Sequence, residues 1–541
     1  MDAVPIGQLF PEKSIIADCW AAKESFTSLV PRHFLDAGSF HEIAEILGRR
    51  AYERKKLADI LAAQNRRFAA GPETMTAIDR LRDPRSMAVV GGQQAGLFGG
   101  PLYTLYKALT VLVLAGRLED MLKRPVVPVF WIASEDSDLQ EVNHARFTDA
   151  SGALSEISLG GDVGGKLPVS RIPLGAGIAD ALSRLRSALP ASPFSSEVMG
   201  ALERACTPEA TYPAAFGVWM QDCLRGRGLV MLDPADDGLK RIAAGLFSRE
   251  ISEKGPVSRA VLRQTERLRA AGYNSQIELR DGMLTLFSQD PSRDAIDVTD
   301  GGFQLKTSGR RLSRAELLSR LEENPGSFTP NAVLRPLFQD TILPTAAVVL
   351  GPSELAYWAQ LPEAYAEMGI PMPVLFPRAS FTLVEPKIGK LLEKHDISLA
   401  DILLRKGRIL DELAAREIPD SLMEKLREGV EESEEAWRAL AEEAGRFEKT
   451  LTPTAESFSR AVSFRFQRME KKIVKAAKRK NDLLREHVGR ILASLYPDDG
   501  LQERSLILPP FIARYGRSVV DLVRENLDPF AAEHKIVRIP S

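Results

Sequence analysis

The sequence predicts an α/β fold: a parallel-sheet core carrying insertions, followed by a long α-helical antiparallel coiled-coil hairpin. Three observations predict it. Short apolar runs end again and again in polar or glycine-rich loops, at Met87–Val90, Val126–Trp131, Leu229–Leu232 and Thr345–Leu350, and unbroken apolar runs of this length suit strands buried on both faces. Helical apolar spacing fills the stretches between them, most clearly over Tyr103–Leu118, with Pro101 near the helix start. Beyond Glu385 the chain turns to charged residues interrupted by apolar positions at heptad spacing.

The stretch from Met87 to His144 organises the core. Two strand-like runs flank a helix, and in such units the loops leaving the carboxyl ends of parallel strands form the ligand crevice. The loops Gly91–Gly100 and Ser134–Glu141 are therefore expected to face one cleft. In the first, Gly92, Gly96 and Gly100 would let backbone N–H groups approach an anion beside a helix N-terminus, with Gln93 and Gln94 as neutral donors. The pattern is neither G-x-G-x-x-G nor a Walker loop, so a plain tight turn stays open. The second loop carries four carboxylates, Glu135, Asp136, Asp138 and Glu141, with Ser134 before them and His144 after. Carboxylates this close need a cation, an amine or a dipole to offset them; an acidic first helical turn is the other reading. Their spacing matches no zinc signature, and no metal site is expected.

These residues also carry a resemblance. GGQQAGLFGGPLYTLYK followed by PVVPVFWIASEDSDLQEVNH, then VLRPLFQDTILPTAAVVLGPSELAYW at Val333–Trp358 and PVLFPRASFTLVE at Pro373–Glu385, closely resemble the bacillithiol biosynthesis cysteine-adding family (BshC, cysteine ligases). The resemblance spans nearly the whole chain. It implies a Rossmann-like core interrupted by insertions, similar to class I aminoacyl-tRNA synthetases, and addition of L-cysteine to glucosaminyl-malate through an amide bond. Neither HIGH nor KMSKS occurs; Gly91–Tyr106 stands in the place of HIGH, with Lys107 as a cation, and ATP or another nucleotide is the expected co-substrate. The family's acidic loop usually reads E-D-H-D, and Ser137 stands here where the histidine would be. The candidate catalytic residues are Glu135, Asp136, Asp138 and Gln94. The candidate substrate or nucleotide contacts are Gly92, Gln93, Gly96, Gly100, Tyr103, Lys107, Ser134, His144, Arg335, Gln339, Ser353 and Arg378.

At 541 residues the chain is too long for one ordinary core. With 44% hydrophobic and 27% charged residues it has the composition of a soluble globular protein, and a net charge of −2 gives no general pull toward nucleic acid or an anionic membrane. Cys19, Cys206 and Cys223 form no C-x-x-C pair. The N-terminal stretch has no basic segment leading into an apolar one, so a cytoplasmic location is expected.

In order, the chain predicts one long helix over His41–Phe68 and another over Glu73–Leu81. Alternating residues at Gly152–Arg171 and helices at Ile178–Leu189 and Pro208–Arg225 make a first insertion, about 150–225. Lys240–Ala271 is helical, Gln276–Gln304 reads as a small antiparallel sheet, and Ser313–Glu323 is helical, giving a second insertion, about 270–325. Then Arg335 precedes Pro336, Gln339 and Asp340 lie in a loop, and Pro352 and Ser353 open a helix after Gly351. A final strand, Val374–Phe376, runs into Arg378. This organises the chain as a core at 1–385, a helical arm at 386–500, and a segment at 501–541 that packs back and ends in an edge strand, KIVRI.

In the arm, Leu426, Val430, Ser433, Trp437, Leu440, Ala444 and Phe447 follow steps of four and three, as do Val462, Phe466, Met469, Ile473 and Ala476. Leu451–Thr454 is expected to be the turn between them. Residues 411–448 hold 13 acidic and 5 basic residues, whereas 460–490 hold 11 basic and 3 acidic, so the arms attract each other as an antiparallel hairpin. KKIVKAAKRK at 471–480 lacks aromatic interleaving and reads as a solvated face rather than a nucleic-acid site. A two-helix seam leaves Trp437, Phe447 and Phe466 partly uncovered, which predicts a homodimer. The rival readings are a non-catalytic coiled-coil assembly protein, or a related ligase for another amino acid or acceptor.

Overall fold

The computed structural model describes all residues except 1–2, 11–13, 161–166, 290–292, 406–412, 414–417, 481 and 541. The chain divides into two compact units, one made of Met1–Val384 with Leu501–Ser541, the other of Glu385–Gly500.

At the centre of the first unit is a parallel sheet of five strands: β1 (Met87–Gln93), β2 (Val126–Ile132), β3 (Val230–Leu232), β4 (Thr345–Leu350) and β5 (Val374–Pro377). Their order across the sheet is β5-β4-β1-β2-β3. The chain builds outward from β1 to β3, then returns to the other side of β1 to lay down β4 and β5. Connections diverge between β1 and β4, and in an open α/β sheet that switch point leaves a crevice at the carboxyl ends of the strands. Every residue of β2 and β4 is buried, which is why their sequences are continuous apolar runs. The helix α1 (Tyr103–Leu122) follows the first loop and lies across β1 and β2. Its approach is close enough that a Cβ on Gly91 would sit 2.6 Å from Val111 Cγ2.

The first insertion pairs His144–Thr148 with Leu154–Ser158 as an antiparallel hairpin and adds helices Gly177–Ala188, Pro193–Ala205 and Tyr212–Cys223. Part of the alternating stretch, 161–166, lies outside the described residues. After β3 comes a short helix, α2 (Asp237–Ile242). The second insertion is a five-stranded antiparallel sheet running from Met283 to Pro330. Helix Arg314–Glu323 is opened by a reciprocal Ser313–Glu316 capping box.

Several expectations are corrected. The long helix over 41–68 is two helices, Ala37–Gly48 and Arg54–Arg67. The break falls at 49–53, just after Gly48, a weak helix former, where the Arg50 guanidinium donates to the Gly369 carbonyl at 2.8 Å. Gln339 and Asp340 lie not in a loop but on α3 (Leu334–Ile342). Pro336 falls within its first turn, where the missing N–H breaks no bond. The next helix, α4 (Pro352–Trp358), starts at the end of β4 as expected.

The C-terminal KIVRI belongs to no edge. Glu533–Arg538 is the middle strand of a three-stranded sheet, antiparallel to Ala3–Pro5 and parallel to Ser380–Val384. At its centre His534 is fully buried, its ring nitrogens 2.7 Å from Ser380 Oγ and 2.8 Å from Thr382 Oγ1.

In the second unit, α5 (Asp420–Phe447) and α6 (Leu451–Lys480) pack as an antiparallel pair. Gly429 lies against Phe466, the Trp437 and Phe458 rings stack at 5.8 Å, and Gly445 meets Thr452. The turn falls at Glu448–Thr450, one step before the predicted place, because Leu451 and Pro453 already belong to the first turn of α6. The side chains of residues 477–480, at the end of the basic stretch, lie outside the described residues. No helix among the described residues is long and apolar enough to cross a membrane.

Candidate functional site

A cleft of about 700 Å³ opens at the carboxyl ends of β1, β2 and β4, where the strand order reverses. Of the sequence-predicted residues, Gly92, Gln93, Gln94, Tyr103, Lys107, Glu135, Asp136, His144, Arg335, Gln339, Ser353 and Arg378 line it. Residues more than 280 positions apart meet there because most of them follow the ends of strands in the same sheet, joined by Arg335 and Gln339 from α3, the helix that leads into β4.

One wall is acidic. Asp136 accepts a hydrogen bond from Gln94 Nε2 at 3.0 Å, and Gln94 also donates to Glu141. Asp136 Oδ1 further accepts the Ser137 amide at 2.7 Å, which fixes the loop. Glu135, largely buried, pairs with the buried Lys240 of α2 at 2.6 Å. Burial pushes its carboxyl up to about 6, against the pull of Lys240. Arg293 of the antiparallel insertion reaches over the Phe287 ring at 4.0 Å and donates to Ser137 Oγ at 2.8 Å. His144 is tied back through Nδ1 to the Gln140 carbonyl at 2.9 Å. Among the described residues no three His, Cys, Asp or Glu are grouped to hold a metal.

The opposite wall is basic, and its cations are held in place. Arg335 sits over the Trp131 and Trp358 rings at 5.9 and 6.0 Å and donates to Tyr357 Oη at 2.9 Å. Arg378 lies 5.6 Å over the Tyr103 ring and donates to Glu503 at 2.7 Å. Burial works against both members of that pair, yet each holds the other charged: the Arg378 guanidinium stays above its usual range and the Glu503 carboxyl below. Lys107, 1% exposed, crosses the switch point itself. It donates to Gly92 O at 2.6 Å and Gln93 Oε1 at 2.8 Å on the β1 side, and pairs with Glu354 on the β4 side. Burial lowers its ammonium pKa and Glu354 opposes that. Glu354 in turn accepts the Gly351 amide at 2.7 Å, closing the N-terminus of α4.

Four predicted residues lie outside the cleft. A Cβ on Gly96 would meet Gly100 Cα at 2.7 Å, so these two glycines let the loop pack on itself instead of cradling a ligand. Ser134 is fully buried and donates to Asp233 at the end of β3, joining two strand ends. Asp138 is exposed and caps the short 3-10 turn Leu139–Glu141, accepting the Gln140 amide at 3.1 Å. Sequence reasoning missed Lys240, Arg293, Trp131 and Arg504. Lys240 could have been found, since it follows the Asp233-Pro234 exit of a predicted strand; Arg293 sits in an insertion with no local signal.

The comparisons with known proteins agree with this architecture. A profile described as the N-terminal Rossmann-like domain of bacillithiol biosynthesis BshC matches residues 2–379, and one described as its C-terminal coiled-coil domain matches 381–539. The chain belongs to the BshC family. A Salinibacter ruber relative named "Putative cysteine ligase BshC" is 35% identical, covering 92% of this chain and 91% of the relative. Relatives of the same name from Koribacter versatilis (34%, 90% of each chain) and Bacillus licheniformis (30%, 94% of this chain and 95% of the relative) are similar over comparable lengths. Within this BshC chain the Ser137 hydroxyl accepts a hydrogen bond from Arg293 and so anchors it to the acidic loop.

Proposed function

We propose that this chain is a cytoplasmic ligase that joins L-cysteine to the amine of glucosaminyl-malate through an amide bond, as a step of bacillithiol biosynthesis. The observation that carries the reading is the two-sided cleft at the switch point. Amide formation from a carboxylate and an amine requires the carboxylate to be activated, its negative charge to be offset, and a proton to be removed from the nucleophile. Arg335 and Arg378, each pinned by aromatic rings and a hydrogen bond, offer preorganised donors for carboxylate and phosphate groups. Asp136, Glu141 and Gln94 offer a site for an ammonium group. Holding both reactants between these walls supplies proximity, which is a large part of what a ligase needs.

ATP or another nucleotide supplies the activation in this reading. Its phosphates are assigned to the arginine side, because Gly96 and Gly100 are occupied in packing. The test is to incubate the protein with cysteine, glucosaminyl-malate and each nucleoside triphosphate in turn and follow product mass. No product with any of them rejects the reading; calorimetry showing no binding of substrates or nucleotide would favour a scaffold role.

We also propose that the chain forms a homodimer through the hairpin. No residue of α5 is buried, and Leu440, Phe447, Phe458 and Phe464 are more than half exposed, more apolar surface than one helical pair ordinarily leaves to water. Light scattering that gives a monomer mass at high concentration would refute it.

A further inference from the structure

Glu135 stands between two cavities. On one side it lines the main cleft. On the other it lines a second cavity of about 250 Å³, whose walls include Gln64, Arg67, Arg171, Asp233 and Lys240. In the ion pair with Lys240 the ammonium lies 2.6 Å from Oε1; Oε2 has no hydrogen-bond partner among the described residues. Lys240 is 4% exposed and comes from α2, so a buried cation is delivered to the back of the acidic loop by a helix that follows a different strand. Its ammonium also lies 3.4 Å from the Gly326 carbonyl, which limits its movement.

We propose that Lys240 is a positioning residue that holds Glu135 as the proton acceptor for the attacking amine. The inference rests on the ligase reading above. In the step, the amine nitrogen attacks the acyl carbon of the nucleotide-activated amino acid and a C–N bond forms. The bond from that carbon to the phosphate oxygen breaks, its electron pair leaving with the phosphate. The proton released by the nitrogen passes to Glu135 Oε2. Lys240 acts through Glu135: it orients Oε1 and keeps the buried carboxyl able to ionise near neutrality. The second cavity, whose walls also include the exposed Asp237 and the two-thirds-exposed Arg67, gives the proton a way out that does not cross the substrates.

The charged groups facing Glu135 come from every neighbouring element. Lys240 and Asp237 stand on α2, Asp233 and Asp236 follow β3, Arg293 reaches in from the antiparallel insertion, and Asp136 adjoins it in the loop. Arg67 and Arg171 line the far side of the second cavity. Lys240 is the one among them in ion-pair contact with the carboxylate, so its loss should dominate.

The test is the pH profile of kcat/KM for the wild type, Lys240→Gln, Lys240→Arg and Glu135→Gln. The wild-type acid limb is expected near pH 6, where the buried carboxyl titrates. Lys240→Gln should move that limb up by about one pH unit or more, because an unpaired buried carboxylate is harder to ionise. Lys240→Arg, which keeps the charge, should hold it in place. Glu135→Gln should remove the limb and lower the rate by about 100-fold or more. A Lys240→Gln profile that superimposes on the wild type overturns the proposal, as does a Glu135→Gln variant with wild-type rates. If Lys240→Gln does not fold, as judged by circular dichroism, the Lys240→Arg and Glu135→Gln profiles decide. A wild type that makes no product rejects the ligase reading itself, an outcome separate from an unshifted limb in an active enzyme.

Discussion

Replacing His534 by glutamine should remove a pH dependence that this residue builds into the stability of the first unit. The imidazole is fully buried between Ser380 and Thr382, and burial lowers its pKa from 6.5 to about 4, with Glu503 opposing and Arg378 assisting. Between those values the unfolded chain binds a proton that the folded one does not. The stabilisation is therefore complete above pH 6.5 and is lost as pH falls toward 4. The interval amounts to roughly 3 kcal/mol at about 1.4 kcal/mol per pH unit, of which about 2 kcal/mol should be gone by pH 5. Glu135 and Asp340, both raised by burial to about 6, act in the opposite sense, since they bind protons in the folded state first. A wild-type curve alone would mix these effects. The measurement is therefore urea denaturation of wild type and His534→Gln at pH 7.5 and pH 5. The gap between the two proteins should shrink by about 2 kcal/mol on acidification. A gap that stays constant would refute the reasoning.

Other outcomes follow from the same geometry. Asp136→Asn should weaken binding of an ammonium-bearing substrate by about 10-fold or more, whereas Asp138→Asn, exposed and still able to cap its turn, should stay within about twofold of wild type in steady-state kinetics. Gly96→Ala places a methyl 2.7 Å from backbone at Gly100 and should lower stability by about 1–3 kcal/mol in denaturant melts, with nucleotide binding by the remaining folded protein unchanged. Lys107→Met leaves Glu354, the Gly92 carbonyl and Gln93 without their shared cation. It should destabilise by about 3–5 kcal/mol, and adding Glu354→Gln should recover part of that in a double-mutant cycle.

The central sheet was legible because its strands are buried on both faces, so each shows as an unbroken apolar run with a polar exit; the positions of Gln94, Glu135 and Lys107 follow from that alone. What the sequence hid was of two kinds. Some residues have a local pattern compatible with two structures: Gln339 and Asp340 sit beside a proline that marks a loop in one reading and a first helical turn in the other. Others depend on distant chain. Nothing near Arg293 indicates that it reaches the loop 134–138, and Asp138 is indistinguishable in type and spacing from Asp136, although one caps an exposed turn and the other lines the cleft. The glycine loop is the clearest case of one composition serving two ends, since Gly92 lines the cleft while Gly96 and Gly100 pack against each other.

The three-stranded sheet at the chain ends bears on how this protein is made. Ala3 pairs with Lys535, so residue 3 waits for its partner until synthesis has passed residue 535, and long-range pairing of that kind is slow to form. The chain leaves the first unit at Val384 and re-enters it at Leu501, where Leu383 and Gln502 already exchange two hydrogen bonds of 2.8 Å. The two ends of the excursion thus meet at a closed neck. A shortened gene in which a few glycines bridge 384 to 501 should yield the cleft-bearing unit by itself, free of the coiled coil and open to separate biochemical study.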